Sequence, residues 1–139
     1  MKKLRKFAKK AIPVIAVILL LGLILSRVYQ PDSTVTPEVS ISAVDAEEHI
    51  GETAEVCGVV ASASYAQHIG GEPTFINFKE DHPNQVFTVV IWGSNRLAWD
   101  QPPEQLYQGR EICVTGRIEL HEDVPQIEVQ SPDQIRIQN

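Results

Sequence analysis

Two apolar runs separated by a charged turn carry the side chains in this sequence that are best suited to bind a flat ligand. They lie within PTFINFKEDHPNQVFTVVIWG, residues 73–93. Side chains alternate between the two faces of a strand. Parity therefore places two aromatic and three polar side chains on one mixed face: Phe75, Trp92, Asn77, Lys79 and Thr88. Because an aromatic ring can stack on a nucleobase, at roughly 1–3 kcal/mol per base, or on a sugar, we predict that these five residues bind a ligand.

The opposite parity of the same two runs is apolar apart from Thr74. Its apolar residues are Ile76, Phe78, Phe87, Val89 and Ile91, which we expect to line the core. An alternative for the mixed face is purely structural. In that case Phe75 and Trp92 would pack beneath the long connection over residues 94–109, or beneath a short helix over residues 42–51.

Catalytic and metal-binding patterns are not expected. His82 and His121 each stand beside acidic residues in EDHPNQ and LHEDVP. Such groups can bind a cation, but in hairpin turns they are typical of solvated loops. The sequence contains no zinc-ligand spacing, nucleophile elbow or phosphate-binding glycine loop. We therefore predict no catalytic residue, no metal ligand and no cofactor.

Two cysteines, Cys57 and Cys113, are separated by 56 residues, unlike a CxxC redox or zinc motif. Parity places both on strand faces shared with glutamates. If their strands are neighbours and the compartment is oxidising, a disulfide is possible. Two separate buried thiols are the alternative.

The elements that would position these residues are short strands with period-two patterning. The predicted strands cover residues 53–63, 74–79, 86–92, 111–120 and 126–129, and the stretch QIRI forms a possible sixth. A short helix over 42–51 precedes them, with Ser42 as N-cap and Gly51 as stop. Gly58 and Gly116 fall inside strands, as at the corners of a small barrel. This pattern predicts an all-β fold, a five-stranded OB-fold Greek-key barrel over residues 42–139.

The N-terminal part has a different character. Residues 1–30 carry seven basic side chains and no acidic one, around the apolar run AIPVIAVILLLGLIL. We predict a basic cytoplasmic start and a single transmembrane helix over 1–29, then a tether over 30–41. The alternative is a cleaved signal peptide. Either prediction places the remaining residues outside the cytoplasm. The uncleaved anchor would hold them at a plasma or inner membrane.

The pattern VCGVV…GGEPTFINF…HPNQVFTVVIWG…ICVTGRIEL…VPQIEV…PDQI, over about residues 41–137, resembles a bacterial OB-fold family usually described as nucleic-acid-binding. Domains of that family are also found beside staphylococcal-nuclease-like domains. The resemblance implies nucleic acid as the ligand. Where such domains often carry Gly-Lys or Tyr-Arg-Gly near the last hairpin, this chain has the acidic HEDVP.

The expected function is that of a non-catalytic, membrane-anchored OB-fold binding module with single-stranded nucleic acid as its ligand. Binding should be weak, because residues 31–139 hold five basic side chains against 18 acidic ones and nucleic-acid affinity depends on cations. The alternative is an adaptor domain that binds an envelope protein and no nucleic acid. A haem chaperone of similar plan is disfavoured, because its His-Asp-Glu-x-Tyr stretch is missing.

Overall fold

The structure, a computed structural model, describes residues 39–139 of the chain. Eight strands account for most of the regular structure, which confirms the prediction of an all-β fold. The strands are β1 Val39–Ser42, β2 Thr53–Tyr65, β3 Thr74–Phe78, β4 Phe87–Ile91, β5 Glu111–Arg117, β6 Glu119–His121, β7 Val124–Glu128 and β8 Ile135–Ile137. The helical elements are 3-10 helices at Ala43–His49, Gly93–Ala98 and Pro132–Gln134, and α1 at Pro103–Tyr107.

The strands form one sheet in the order β6-β7-β4-β3-β2-β5-β8, with β1 paired to β2. Strands β2, β3 and β4 form an antiparallel meander, and the other edge of β2 pairs with β5. The chain then returns to pair β7 with β4 in parallel. This crossing brings the β6–β7 hairpin beside β4, although more than 25 residues separate β4 from β7 in the sequence.

Strands β5 and β7 are not neighbours in the sheet order, yet they approach each other very closely. A Cβ atom added to Gly116 in β5 would lie 2.5 Å from Cγ2 of Ile127 in β7, so only glycine fits at this position. Gln134 also donates a hydrogen bond to the carbonyl oxygen of Thr115 at 3.0 Å. The prediction that a strand glycine marks a tight corner therefore applies to Gly116.

The concave face of the sheet encloses one apolar core. All five residues predicted to line it, Ile76, Phe78, Phe87, Val89 and Ile91, are fully buried, so this prediction is confirmed. The rings of Phe78 and Phe87 meet edge to face with centroids 5.1 Å apart, a favourable aromatic geometry.

One end of the core is closed by the connection between β4 and β5. Trp99 is 7% exposed and Tyr107 is 2% exposed. The indole Nε1 of Trp99 donates to the hydroxyl of Tyr107 at 2.8 Å. Burial raises the pKa of that hydroxyl above its usual value, so it remains a neutral hydrogen-bonding group.

Several boundaries differ from the predicted ones. The predicted helix is a 3-10 helix at Ala43–His49, which places Ala43 and Ala46 above one another toward the core. The predicted strand over 111–120 is two strands, β5 and β6. They separate at the buried Ile118, because the chain stops pairing with β2 and begins to pair with β7.

Strand β1 was not predicted. It occupies the last residues of the predicted tether and runs parallel to β2, with Val39 opposite Ala54. Its alternating residues Val39 and Ile41 are partly buried against the core, which explains why so short a segment is held as a strand.

The predicted membrane segment over 1–29 and most of the tether lie outside the described residues. Between residues 39 and 139, the structure has no helix that is long and apolar enough to cross a membrane.

Candidate functional site

A cleft of about 620 Å³ opens on the polar face of β3, β4 and β7. Its floor is formed by these strands, and its walls come from the β2–β3 connection, the β3–β4 connection and the β6–β7 turn. Three of the five residues predicted to bind a ligand line this cleft: Phe75, Asn77 and Thr88.

A row of polar side chains crosses the cleft floor at right angles to the strands. Ser62, Asn77, Thr88 and Gln126 are neighbours in register on β2, β3, β4 and β7. Thr88 donates its hydroxyl to Oδ1 of Asn77 at 3.1 Å, and Nδ2 of Asn77 donates to the hydroxyl of Ser62 at 3.2 Å. These bonds fix the orientation of the Asn77 amide and occupy its oxygen and one of its two N–H groups.

Phe75 provides the flat apolar surface of the cleft. It lies beside Val90 of β4 and Ser64 of β2 in the sheet. Val90 is almost fully buried, whereas Phe75 is only half-buried. An aromatic ring that is held by the sheet and still partly exposed is suited to stacking against a planar ligand.

Trp92 and Lys79, the other two predicted residues, do not line the cleft. Trp92 is half-buried against the β2–β3 connection, where a Cβ atom on Gly71 would lie 3.0 Å from the indole ring. The amide of Gly93 donates to the carbonyl oxygen of Gly71 at 2.9 Å, which holds this connection over Trp92. Lys79 is exposed just beyond the end of β3, with a positive φ of 70°.

Three histidines that were not in the predicted binding set line the cleft. His68 comes from the β2–β3 connection, His82 from the β3–β4 connection and His121 from the end of β6. All three are exposed. The fourth histidine, His49, lies outside the cleft, and its Nδ1 is 2.7 Å from Oε2 of Glu52.

One polar atom at the cleft wall has an unused hydrogen-bonding capacity. Nε2 of Gln85 lies 3.3 Å from Nδ1 of His82. Oε1 of the same amide is buried and has no hydrogen-bond partner among the described residues. Since a buried, unpaired acceptor is costly, a ligand that donates a hydrogen bond there would be favoured.

The arginines that the structure describes do not line the cleft. Arg96 forms two 2.7 Å hydrogen bonds with the carboxylate of Glu104, and its guanidinium lies 3.8 Å from the ring centroid of Tyr65. The bonds lower the pKa of Glu104 and raise the pKa of Arg96 from their usual values. Arg136 pairs with Glu55 at 3.3 Å.

Cys57 and Cys113 face each other across β2 and β5 and form a disulfide, with Cα atoms 4.0 Å apart. Glu55 lies close enough to both sulfurs to complete a three-donor group. Because the sulfurs are bonded to each other, they are not available as thiolate ligands. Neither cysteine lines the cleft.

The cleft residues that sequence reasoning missed come mainly from connections. Parity within β3 and β4 was sufficient to find Phe75, Asn77 and Thr88. Gln126 joins them because β7 pairs with β4 in the structure, a pairing that strand parity does not indicate. The histidines could not have been grouped by spacing, since they belong to three separate turns.

Comparisons with known proteins do not assign the chain to a family. No family model and no curated protein matches it. A solved structure described as an aspartyl-tRNA synthetase from Leishmania major Friedlin is similar, with a TM-score of 0.45 and 10% sequence identity. The match covers 78% of this chain and 22% of that chain. At this identity and TM-score, the similarity does not indicate what the chain binds.

Proposed function

We propose that residues 39–139 form an OB-fold module that binds single-stranded nucleic acid weakly in the β3–β4–β7 cleft, without catalysis. The connectivity supports the OB assignment. A three-stranded meander is followed by a connection containing α1, a strand that pairs with the first strand of the meander, and a strand that pairs in parallel with its last. OB folds bind oligonucleotides and oligosaccharides on the face of their second and third strands, between two loops.

The observation that carries the proposal is the position of Phe75 in the cleft. Its half-buried ring lies beside the fixed amide of Asn77 and within the same cleft as the amides of Gln85 and Gln126. A nucleobase presents a planar face and donor and acceptor groups along its edges. Stacking on Phe75 would therefore leave the base edge close to groups that can hydrogen-bond to it.

Weak affinity follows from the charges around the cleft. Among the described residues, the side chains lining it include the carboxylate of Glu122 and no lysine or arginine. Cations that neutralise phosphates supply much of the affinity of nucleic-acid-binding proteins. Recognition in this cleft would therefore depend on base stacking and hydrogen bonding at neutral pH.

The proposed location is the outer side of a plasma or inner membrane, with the N-terminus in the cytoplasm. This proposal is supported by the sequence, which has six basic residues before Ala11 and an uncharged apolar run over residues 11–25. It is tested by protease digestion of intact cells or spheroplasts. Digestion of the C-terminal part only after membrane disruption would contradict the orientation.

Fluorescence anisotropy with a labelled oligothymidylate at low salt tests the binding function. The full chain in mild detergent, Phe75→Ala and Leu97→Ala should be compared. Leu97 is 95% exposed and lies outside the cleft, so it serves as a matched control for removal of a large apolar side chain. All three proteins retain the basic N-terminus, so a difference between them reports on the folded domain.

We expect binding by the wild-type chain and by Leu97→Ala, and a large loss with Phe75→Ala. Equal binding by all three proteins would assign the oligonucleotide to the basic N-terminus and refute the proposed site. If the wild-type chain binds no oligonucleotide and a co-purifying protein survives nuclease treatment, the adaptor alternative is supported instead.

A further inference from the structure

We propose that His68, His82 and His121 are the phosphate-binding groups of the cleft and that they act only when protonated. The inference rests on the proposed function, because it takes the ligand to be a single-stranded oligonucleotide. It adds the residues that contact the phosphates and predicts that binding is coupled to the uptake of protons.

The first step is the convergence of the histidines. The chain has four, and three of them line one cleft although they are 14 and 39 residues apart along the sequence. They come from the β2–β3 connection, the β3–β4 connection and the end of β6, and they line the same cleft as Phe75, the proposed stacking platform. A strand of nucleic acid with one base on Phe75 must pass these connections as it leaves the cleft, so its phosphates would come within reach of the imidazoles.

The second step is the charge of the cleft. Glu122 is the acidic side chain among the described residues that line it. Glu119 and Glu128 lie on the same face in register with Gln126 and Val90, and Asp81 and Asp123 adjoin His82 and Glu122 in the sequence. Lys79 is the nearby basic residue of the β3–β4 connection but does not line the cleft. With neutral histidines, the cleft and its surroundings therefore repel phosphate.

The third step is the chemistry of imidazole. Histidine as a residue type changes its charge near pH ~6.5. When protonated, both ring nitrogens donate hydrogen bonds and the ring carries a positive charge. At His82 the Gln85 amide must then turn, so that its unpaired Oε1 accepts from Nδ1 where Nε2 now lies. Three imidazolium groups would change the lining charge from −1 to +2, counting Glu122 as the carboxylate. A nearby phosphate would favour the protonated form, so ligand binding and protonation would strengthen each other.

The test is oligothymidylate binding to the full chain at about pH 7.5 and about pH 5.5, at several salt concentrations and with EDTA present. Thymine has no group that titrates in this range, and EDTA removes any metal ion that could bridge imidazoles and phosphates. Lysine and arginine keep their charge throughout, so these side chains of the basic N-terminus contribute equally at both values. The α-amino group gains charge at the lower pH, and the triple histidine variant, which retains it, controls for that gain. The variants are His68→Gln/His82→Gln/His121→Gln and, as the matched control outside the cleft, His49→Gln.

We expect about tenfold tighter binding by the wild-type chain at the lower pH. The salt dependence should also become steeper, because each phosphate neutralised on a single strand adds about −0.7 to the slope of log K against log salt. Three imidazolium groups would add roughly −2. The triple variant should lose both changes, and His49→Gln should keep them.

The outcomes separate this inference from the proposed function. If the wild-type chain binds equally at both pH values through Phe75, or if the triple variant keeps the pH effect, the histidine inference is refuted and the proposed function stands. If Phe75→Ala has no effect at either pH, the proposed function fails, and the inference fails with it.

Discussion

Strands β3 and β4 pair over five residues each, and their side chains alternate between two faces that differ in polarity. One face presents Ile76, Phe78, Phe87 and Val89, each fully buried in the core. The other presents Phe75 beside a hydrogen-bonded polar row that includes Asn77 and Thr88. Aromatic residues occur on both faces, so their presence alone does not distinguish stability from binding. The surroundings of each ring distinguish the two roles. Aliphatic side chains surround the rings on one face, and amides, histidines and solvent lie near the ring on the other.

The comparison can be tested most strongly with paired phenylalanine variants. Phe78→Ala should lower the free energy of unfolding by about 3–5 kcal/mol, because it leaves a cavity where a fully buried ring had packed. Phe75→Ala should lower it by much less, since that ring is already partly exposed. Thermal or urea unfolding followed by circular dichroism measures both. Equal losses of stability would show that Phe75 is a core residue.

The second comparison uses ligand binding. Phe75→Ala should weaken oligothymidylate binding by roughly 1–3 kcal/mol, the value of a lost base stack. Phe75→Trp, which keeps a flat ring, should retain most of the affinity. Anisotropy titration measures both variants. Full affinity in Phe75→Ala would remove the ring from the site.

The third test concerns the polar row. Thr88→Val removes the hydroxyl that donates to Oδ1 of Asn77 and leaves a nearly buried acceptor without its partner. We expect a loss of about 1.5 kcal/mol in unfolding free energy. Ser64→Ala, on the exposed end of the same face, is the matched control and should have little effect. A wild-type stability for Thr88→Val would mean that the row does not fix the cleft floor.

A fourth, smaller effect concerns an ion pair away from the cleft. Arg96 lowers the pKa of Glu104 in the folded chain. The resulting stability is therefore present above the usual glutamate pKa of about 4.3 and is lost as the pH falls through the lowered folded value. Glu104→Gln should cost about 0.5–1 kcal/mol at neutral pH, and the difference from wild type should shrink in acid. Exposed Glu47→Gln is the control. A difference that grew in acid would contradict this sign.

The smallest effect is expected at Lys79, which lies beside the cleft without lining it. Lys79→Gln should change oligothymidylate affinity by less than about twofold. It should also change the slope of log K against log salt by much less than the value of about 0.7 that the loss of one phosphate contact would give. A change in that slope as large as one phosphate contact would show that Lys79 contacts a phosphate.

Much of this arrangement follows from the sequence because it depends on strand parity. Alternation alone separates Phe75 from Phe78 and locates the core row of β4, and the strand glycine at 116 marks the close approach of β5 to β7. The fate of Trp92 does not follow from parity. It shares a face with Thr88, but the β2–β3 connection packs Gly71 against its ring, and the path of a connection is not encoded by strand alternation.

The histidines also could not be assigned to the cleft from strand parity, although the structure places them there. His82 and His121 looked like residues of separate solvated turns, and His68 had no neighbours of chemical interest in the sequence. They share a cleft because β7 returns to pair with β4. That parallel pairing carries the β6–β7 turn to the β3–β4 connection, a long-range result of topology.

Photo-cross-linking of oligothymidylate to the full chain, with the linked peptides mapped by mass spectrometry, tests directly whether the polar face of β3 and β4 receives a single strand. The expected cross-links fall in β3 at Phe75 and in the connections that carry His82 and His121, and they disappear in Phe75→Ala. Cross-links confined to the basic residues before Ala11, or unchanged in Phe75→Ala, would show that the cleft does not bind nucleic acid.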